Sequence, residues 1–385
     1  MSAPRSTAPL VLATVFVDIV GFGMILPILP GHAASLGISP VMIGVLVGAY
    51  SAIQLLLAPF WGRVSDRFGR RPVLLMGLFG SAASYLCFAL AGNWWLLLLS
   101  RLLDGGSGAT INVAQAYLAD STPPTERARA MGKVGATVGM GFIVGPMLGG
   151  ITAARGVPFV ALLAAGITAA NLLMALRYLP ESVRSVEPDV AALPEVPLAD
   201  VLLPLTVLGL STLAFSVMYV VFPLWGEETI GATRSTVSYW FALMGLVTAI
   251  TQGGVLGRLV RKVGEAGTAR GGMAFLAAGL AMIPMAGGGG ARFYAVLALL
   301  GIGYGLAGPS MLGLISRRTG GGRQGSVLGV AQSVASLARI VGPVFAGAVM
   351  SGAGAEWAFL GSAGVATFGL VAVLVLGVRQ LSPAR

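Results

Sequence analysis

The chain is a succession of apolar segments of about 20 residues, separated by short stretches rich in glycine, proline or charge. A helix needs about 20 apolar residues to cross the hydrocarbon core of a bilayer, and about 32 with a short connection. The 385 residues therefore accommodate about twelve such segments. Only 10% of the residues are charged, whereas soluble domains carry about 25%. We predict an all-α membrane protein, because too few polar side chains are present to cover a soluble surface.

The apolar segments form two sets of six. The first set lies at 9–31, 41–61, 73–92, 95–119, 131–153 and 157–179, and the second at 199–225, 235–257, 268–288, 292–315, 325–351 and 356–378. The longest polar stretch, 180–197, separates the sets. We predict an N-terminal six-helix bundle over 1–179, a cytoplasmic linker over 180–197 and a C-terminal six-helix bundle over 198–385.

The distribution of basic residues predicts the orientation in the membrane. Cytoplasmic loops of membrane proteins carry an excess of Lys and Arg. With the N-terminus in the cytoplasm, 19 of the 24 basic residues fall on the cytoplasmic side, three on the opposite side and two inside spans. Both termini are therefore expected in the cytoplasm of a multi-pass protein of the inner membrane. The net charge of +10 then needs no nucleic-acid partner to explain it.

The two halves contain matching sequences. Gly62-Arg-Val-Ser-Asp-Arg-Phe-Gly69 corresponds to Gly257-Arg-Leu-Val-Arg-Lys-Val-Gly264, and Phe142-Ile-Val-Gly-Pro corresponds to Arg339-Ile-Val-Gly-Pro. The offsets of 195 and 197 residues agree on one six-helix repeat. Internal repeats of this kind are typical of secondary transporters, in which two bundles move about a site near the bilayer midplane. We expect two pseudo-symmetric bundles.

Charged residues inside spans are the strongest functional signal, because each costs about 2.5–3.5 kcal/mol or more at a helix centre. Arg101 and Asp104 are three residues apart and share one helical face. Burial disfavours a charged carboxylate and a nearby arginine favours it, so such an acid can gain and lose a proton. We predict that Asp18 and Asp104 couple transport to protons, that Arg101 tunes them, and that all three lie beside a central water-accessible space.

Structural alternatives to these roles remain open. Arg101 and Asp104 could be a permanent ion pair that only joins helices, and Asp18 could be a static hydrogen-bonding partner of nearby backbone. Arg339 has no evident partner in its own segment. It could form a positive wall of the substrate cavity, which would disfavour strongly cationic drugs, or pair with Asp18 or Asp104.

Three motifs resemble those of a known family. The loop Gly62–Pro72 resembles the signature loop of the major facilitator superfamily, and Asp18–Pro30 resembles the first-helix motif of its twelve-helix drug:proton antiporters. The segment Gly141–Gly150 resembles the fifth-helix antiporter motif, and the chain is most similar to the tetracycline-efflux branch. The resemblance implies two six-helix bundles, a monomer, and no cofactor beyond the proton gradient as the energy source.

The resemblance also assigns residues to a cytoplasmic gate and to the antiporter motif. The gate residues are Gly62, Asp66, Arg67, Gly69, Arg70 and Arg71. Asp66 is expected to contact the start of the eleventh helix near 324–326, where the helix dipole favours an anion. The arginines are expected to bind Asp120, Glu126 or anionic lipid head groups. The antiporter-motif residues are Gly141, Gly145, Pro146, Gly149 and Gly150, whose glycines at spacing four let another helix approach closely, while Pro146 bends the helix.

Two positions differ from the tetracycline exporters. Ser84 stands before Tyr85 where their third helix carries an acid, and the ninth segment, 268–288, contains no acid. The resemblance therefore supports efflux by proton exchange rather than tetracycline as the substrate. The predicted substrate cavity, mostly apolar with a few polar groups, is lined by Tyr50, Gln54, Asn112, Gln115, Tyr219, Trp240, Gln252, Tyr304 and Arg339.

These observations predict a proton-coupled secondary transporter that exports lipophilic or amphipathic small molecules by alternating access. Export of an endogenous metabolite, sugar or lipid by the same fold is the alternative. A membrane-embedded enzyme is disfavoured because one His and one Cys supply no zinc site, and no nucleophile motif or phosphate loop is present. A channel is disfavoured by the duplicated halves and by the lack of a filter-like segment.

Overall fold

The computed structural model describes residues 8–107, 110–123, 126–182, 198–319 and 324–381. These residues form helices and contain no strand. The fifteen α-helices within this part of the chain are α1 (Ala8–Ile25), α2 (Leu29–Ser35), α3 (Pro40–Phe68), α4 (Arg70–Ala89), α5 (Trp94–Ser107), α6 (Thr110–Ser121), α7 (Arg127–Ala153), α8 (Val157–Tyr178), α9 (Leu198–Phe215), α10 (Val221–Ile230), α11 (Arg234–Ile250), α12 (Leu256–Met282), α13 (Ala291–Thr319), α14 (Gln324–Ala353) and α15 (Ala355–Leu381).

Ten helical stretches among the described residues are long and apolar enough to cross a membrane. One of them, Arg234–Met285, has 52 residues and is interrupted at Gly264, where φ is 72°, so that it supplies two passes. The pair α5 and α6, on either side of residues 108–109, supplies one more. The prediction of an all-α membrane protein is confirmed, and the helices are consistent with twelve passes.

The helices group into two compact units. Unit 1 comprises Met1–Gly37, Ala49–Pro188 and Arg234–Ala242, and unit 2 comprises Ile38–Gly48, Asp189–Thr233 and Leu243–Arg385. The units therefore alternate along the sequence. The predicted division at 180–197, most of which lies outside the described residues, stays a prediction.

Unit 1 is built around α1, which packs against α7 and α8, while α4 packs against α5 and α8. Part of its core consists of Val11, Val15, Leu74, Leu78 and Tyr117, which are at most 1% exposed. In a bilayer the hydrophobic effect does not drive helices together, so close van der Waals packing between such side chains stabilises the bundle instead.

The glycines of α7 decide how closely α7 approaches α1. A Cβ atom built on Gly145 would lie 2.7 Å from the carbonyl oxygen of Val20, and one on Gly149 would lie 2.9 Å from that of Met24. Gly141 faces the side chain of Ile19 in the same way. Any larger residue would therefore push the two backbones apart, as expected for a stripe of small residues between membrane helices.

Unit 2 repeats this packing with its own helices. Its central helix α9 contacts α13, α14 and α15, and the second part of α12 packs against α13. Gly342 of α14, which corresponds to Gly145 in the sequence repeat, faces α9 and the 3₁₀ turn Ser216–Tyr219. A Cβ atom on Gly342 would lie 2.5 Å from the Cβ atom of Ser216. The equivalent glycine thus has the equivalent task in each unit.

Candidate functional site

The structure brings the three predicted proton-coupling residues together in unit 1. Asp18 lies on α1, and Arg101 and Asp104 lie on α5. Arg101 Nη1 donates to Asp104 Oδ2 at 3.3 Å, and Asp18 is close enough for its charge to act on Asp104. We call Asp18, Arg101 and Asp104 the charge cluster.

Polar side chains from three helices surround the charge cluster. Arg101 Nη2 contacts Ser100 Oγ at 3.1 Å, and the guanidinium lies 5.4 Å from the ring centroid of Phe88. The Tyr85 hydroxyl of α4 lies beside the Asp104 carboxylate. The hydroxyls of Ser81 on α4 and Thr110 on α6 lie beside Asp18.

The hydrogen bonding of this cluster is incomplete. Asp18 Oδ1 and Arg101 Nε are buried without a hydrogen-bond partner among the described residues. Each buried polar group left unsatisfied costs about 1–3 kcal/mol. The cluster contains two carboxylates and one guanidinium, and the guanidinium pairs with Asp104. One bound proton therefore makes the cluster electrically neutral. The arrangement can hold a proton, and it contains groups ready to accept or donate when the surroundings change.

The charge cluster is more enclosed than the sequence led us to expect. The sequence predicts the three side chains beside a water-accessible space, whereas Asp18 is 9%, Arg101 2% and Asp104 3% exposed. The α4, α5 and α6 side chains described above cover them. A proton can therefore reach the acids from water only if these helices rearrange or a narrow water path forms.

The predicted gate loop forms a charged network at the junction of α3 and α4. Arg70 lies 2.6 Å from Asp66 Oδ1, 3.0 Å from Asp120 Oδ2 and 2.6 Å from Ser65 Oγ. The loop turns at Gly69, whose φ of 101° favours glycine. Asp120, one of the two acids proposed for the arginines, thus contacts Arg70. The expected contact between Asp66 and the start of α14, near 324–326, would join residues of different units and stays a prediction.

Sequence reasoning missed the role of Glu181 in this network. Glu181 Oε1 accepts hydrogen bonds from the backbone N–H groups of Arg70 at 2.7 Å and Arg71 at 3.1 Å. It therefore caps the first turn of α4, where backbone donors have no partner within the helix and a negative charge is favoured. The sequence offers one signal for this role. Gly69, the residue before α4, has no side chain to cap the helix, so another residue has to accept hydrogen bonds from its first N–H groups. Position 181 lies in the predicted linker, 180–197.

Unit 2 contains a charge-reversed version of the Arg70–Asp120 pair. Glu265 follows Gly264, and its Oε1 lies 2.8 Å from Arg317 Nε. Position 265 is 195 residues beyond 70, and position 317 is 197 beyond 120, which are the offsets of the sequence repeat. The ninth pass, the second part of α12, begins at the kink of Gly264 rather than at 268. It therefore includes the acid Glu265, although the predicted segment 268–288 contains none.

Arg339 lies half-buried on α14. Its Nη2 donates to Ser336 Oγ at 2.9 Å, so the expectation that its own helix offers no partner was wrong. The phenol of Tyr219 lies beside both Arg339 and the phenol of Tyr304. Phe215 stacks on Tyr304 with a centroid distance of 4.0 Å. We call Arg339, Tyr219 and Tyr304 the arginine–tyrosine group.

The other predicted cavity residues are divided between the units. Tyr50, Gln54, Asn112, Gln115 and Trp240 belong to unit 1, and Gln252 belongs to unit 2 with the arginine–tyrosine group. Gln54 Nε2 donates to Tyr50 Oη at 3.3 Å, and Tyr50 packs on Phe22 at 4.9 Å. Asn112 and Gln252 are exposed, whereas Trp240 is buried. Neither unit by itself gathers all of them. Within the described residues, no three His, Cys, Asp or Glu side chains are placed to hold a metal ion.

The comparisons with known proteins agree with this architecture. The family model of the Major Facilitator Superfamily matches residues 11–343. The chain belongs to the Major Facilitator Superfamily. As a member of this superfamily it is a multi-pass membrane transporter and not an enzyme.

Within the Major Facilitator Superfamily, its curated relatives include tetracycline resistance proteins. It is 31% identical over 359 residues to the class C protein of Escherichia coli, covering 90% of each chain. It is 33% identical over 370 residues to the class G protein of Vibrio anguillarum, covering 92% of each. Among solved structures, the human organic anion transporter MFSD10 is 25% identical with a TM-score of 0.71, and the match covers 97% of this chain and 100% of that one.

Proposed function

We propose that this transporter exports lipophilic or amphipathic small molecules in exchange for protons, by alternating access. The charge cluster carries the proposal, because it holds two buried acids and one arginine, of which Arg101 pairs with Asp104, and one bound proton makes the cluster neutral. The relationship to tetracycline resistance proteins supports export of drug-like molecules. Export of an endogenous metabolite, sugar or lipid by the same machinery is the alternative.

In this proposal, protonation and substrate occupancy are coupled through the helices that carry the cluster. A charged acid and a protonated acid favour different surroundings, since the charged form needs water or a cation. Asp18 on α1 and Asp104 on α5 therefore favour a rearranged, wetter state when ionised and the enclosed state when protonated. The enclosed geometry in this structure fits the protonated form.

The Arg70 network acts as the cytoplasmic gate in this scheme. Arg70 holds Asp66 and Asp120 while Glu181 fixes the start of α4. Arg67 and Arg71 face the same membrane surface and interact with anionic lipids or nearby carbonyls; Arg71 Nη2 already donates to the Leu176 carbonyl at 2.7 Å. We further propose an inner-membrane monomer with both termini in the cytoplasm.

Replacement of Asp104 by Asn tests the coupling. Everted membrane vesicles with an acidic interior should release protons when a transported compound is added, and a panel of amphipathic dyes serves as the probe set. Asp104→Asn should abolish this release and gradient-driven uptake, because Asn cannot bind and release the proton. It should retain substrate exchange across the membrane without a gradient, which shows that the variant folds and binds. The exposed acid Glu356 provides the control, and Glu356→Gln should keep full proton release.

Two results would contradict the proposal. Wild-type vesicles that move no protons with any dye would remove antiport. Full gradient-driven uptake by Asp104→Asn would return Asp104 to a purely structural ion pair with Arg101.

A further inference from the structure

Arg339 is an intramembrane cation without an ion-pair partner in the described part of the chain. Its hydrogen bond goes to the neutral hydroxyl of Ser336, and the ion pairs of the described residues join other side chains. Arg101, the other arginine within a span, contacts Asp104, Ser100 and Phe88 instead. A guanidinium has five N–H donors, and among the described residues the side chain of Arg339 uses one nitrogen, Nη2, on Ser336.

Packing does not require a cation at this position. The sequence repeat places Phe142 of α7 where α14 has Arg339, and Phe142 contacts Phe22 edge to face at 6.0 Å. The helix therefore packs with an apolar side chain in the other repeat. A charge costs about 2.5–3.5 kcal/mol or more within a bilayer, and here no described carboxylate offsets it. An arginine at such a site is a candidate for binding a ligand.

The neighbours of Arg339 are suited to an aromatic anion. Ser216 Oγ donates to the Ala338 carbonyl at 3.5 Å, so the turn Ser216–Tyr219 packs against α14 next to Arg339. The Tyr219 phenol lies near the guanidinium and bonds to the phenol of Tyr304, and all three side chains are half-buried. The stacked Phe215–Tyr304 pair adds an apolar aromatic surface. A planar guanidinium binds a carboxylate through two parallel hydrogen bonds, and phenol groups can donate a third.

We propose that the arginine–tyrosine group binds the carboxylate of the transported molecule, and that this exporter carries amphipathic aromatic acids. This inference rests on the proposed export function and names its substrate class. The carboxylate receives hydrogen bonds from Arg339 and a tyrosine hydroxyl, while the aromatic part lies against apolar side chains. Neutral molecules of the same shape bind without this contact, and cationic ones are repelled.

Binding to the purified full-length protein tests the inference. The probes are naphthoate, its neutral amide and naphthylmethylammonium, together with the same three groups on a biphenyl. Wild type should bind at least one acid about tenfold or more tightly than its amide, the range expected for a charge-assisted contact. Arg339→Gln should reduce this preference to about onefold and leave amide binding unchanged. Arg339→Lys should retain part of the preference, because it keeps the charge but not the planar fork.

Controls separate this site from general electrostatics. Arg292 is an exposed arginine at the start of α13, and Arg292→Gln should leave the preference for acids intact. Tyr219→Phe should weaken acid binding less than Arg339→Gln does, because one hydroxyl is removed. Equal or absent binding of acid and amide in wild type, or an unchanged preference in Arg339→Gln, would overturn the inference.

The same probes separate failure of the inference from failure of the proposed function. If the protein binds acids more tightly than amides but its uptake does not depend on the pH gradient, proton antiport is contradicted and the Arg339 site is supported. Gradient-driven uptake of amides and amines, with no preference lost in Arg339→Gln, would leave antiport standing and reject the site.

Discussion

At the scale of single residues, the charge cluster and the arginine–tyrosine group place an arginine inside a span in two different environments. Arg101 is 2% exposed and shares its charge with Asp104. Arg339 is half-buried and donates to a neutral hydroxyl. Arg101 thus has a carboxylate partner inside the protein, whereas Arg339 has none among the described residues. The first arrangement suits proton coupling and the second suits substrate binding.

The pairing of Arg101 with Asp104 predicts a non-additive effect on stability. Arg101→Met leaves two buried acids without a cation, and breaking a buried pair costs about 3–5 kcal/mol. The double variant Arg101→Met with Asp104→Leu removes both charges and should regain most of this loss. Thermal unfolding of the three proteins in detergent measures it, with the midpoint of the double variant closer to wild type than to Arg101→Met. A double variant as unstable as the single one would argue against direct pairing.

At the scale of helices, small residues determine which backbones can approach. Gly145 and Gly149 of α7 face carbonyl oxygens of α1, and Gly342 of α14 faces the 3₁₀ turn after α9. Gly69 and Gly264 start the helices that carry Arg70 and Glu265. Close packing and turn formation thus occur at equivalent places in both repeats. The charged side chains that follow the two turns, Arg70 and Glu265, are opposite in charge.

The close approach of α7 to α1 makes glycine positions in one helix unequal. Gly145→Ala would place a methyl group 2.7 Å from the Val20 carbonyl oxygen and should cost about 1–3 kcal/mol through forced separation of the helices. Gly139 lies in the same helix with nothing within 4 Å, so Gly139→Ala is the matched control. We expect Gly145→Ala to lower the unfolding midpoint and transport, and Gly139→Ala to preserve both. Equal behaviour of the two variants would mean that the α1–α7 contact does not limit function.

At the scale of the whole chain, the two repeats preserve an architecture and reverse a charge pair. Arg70 with Asp120 and Glu265 with Arg317 occupy equivalent positions. Each pair links the start of one helix to the end of another, so the geometry survives when the two charges are exchanged. The local electrostatic potential differs between the two repeats, because the helix that begins after Gly69 carries the cation Arg70 and the one that begins after Gly264 carries the anion Glu265. The repeats are thus alike in backbone and unlike in surface charge.

The distribution of basic residues predicts which side of the membrane each connection faces. In a Cys87→Ser background the chain has no other cysteine. Ser185→Cys in the linker should react with a membrane-impermeant maleimide in everted vesicles and not in intact cells. Gly290→Cys, between the ninth and tenth passes, should show the opposite pattern, because positive connections stay in the cytoplasm. Labelling of both from the same side would refute the predicted topology.

Much of this protein follows from its sequence alone, because membrane insertion depends on local properties. Segment length and hydrophobicity predict the helices, including the spans that contain Asp18, Arg101, Asp104 and Arg339. The constant residue offsets between matching motifs indicate the repeat. Even the glycine stripe of α7 can be read from its spacing of four, since glycine contacts depend on helical periodicity.

The tertiary structure decided what depends on distant parts of the chain meeting. The contact of Glu181 with the start of α4, the pairing of Glu265 with Arg317 and the enclosure of Asp18 by α4 and α6 join residues that no local pattern relates. Spacing shows which face of a helix a side chain occupies, but the degree of burial and the hydrogen-bonding partners depend on which helices pack against that face. Sequence therefore determined which charges lie inside the membrane, and packing determined which of them are satisfied.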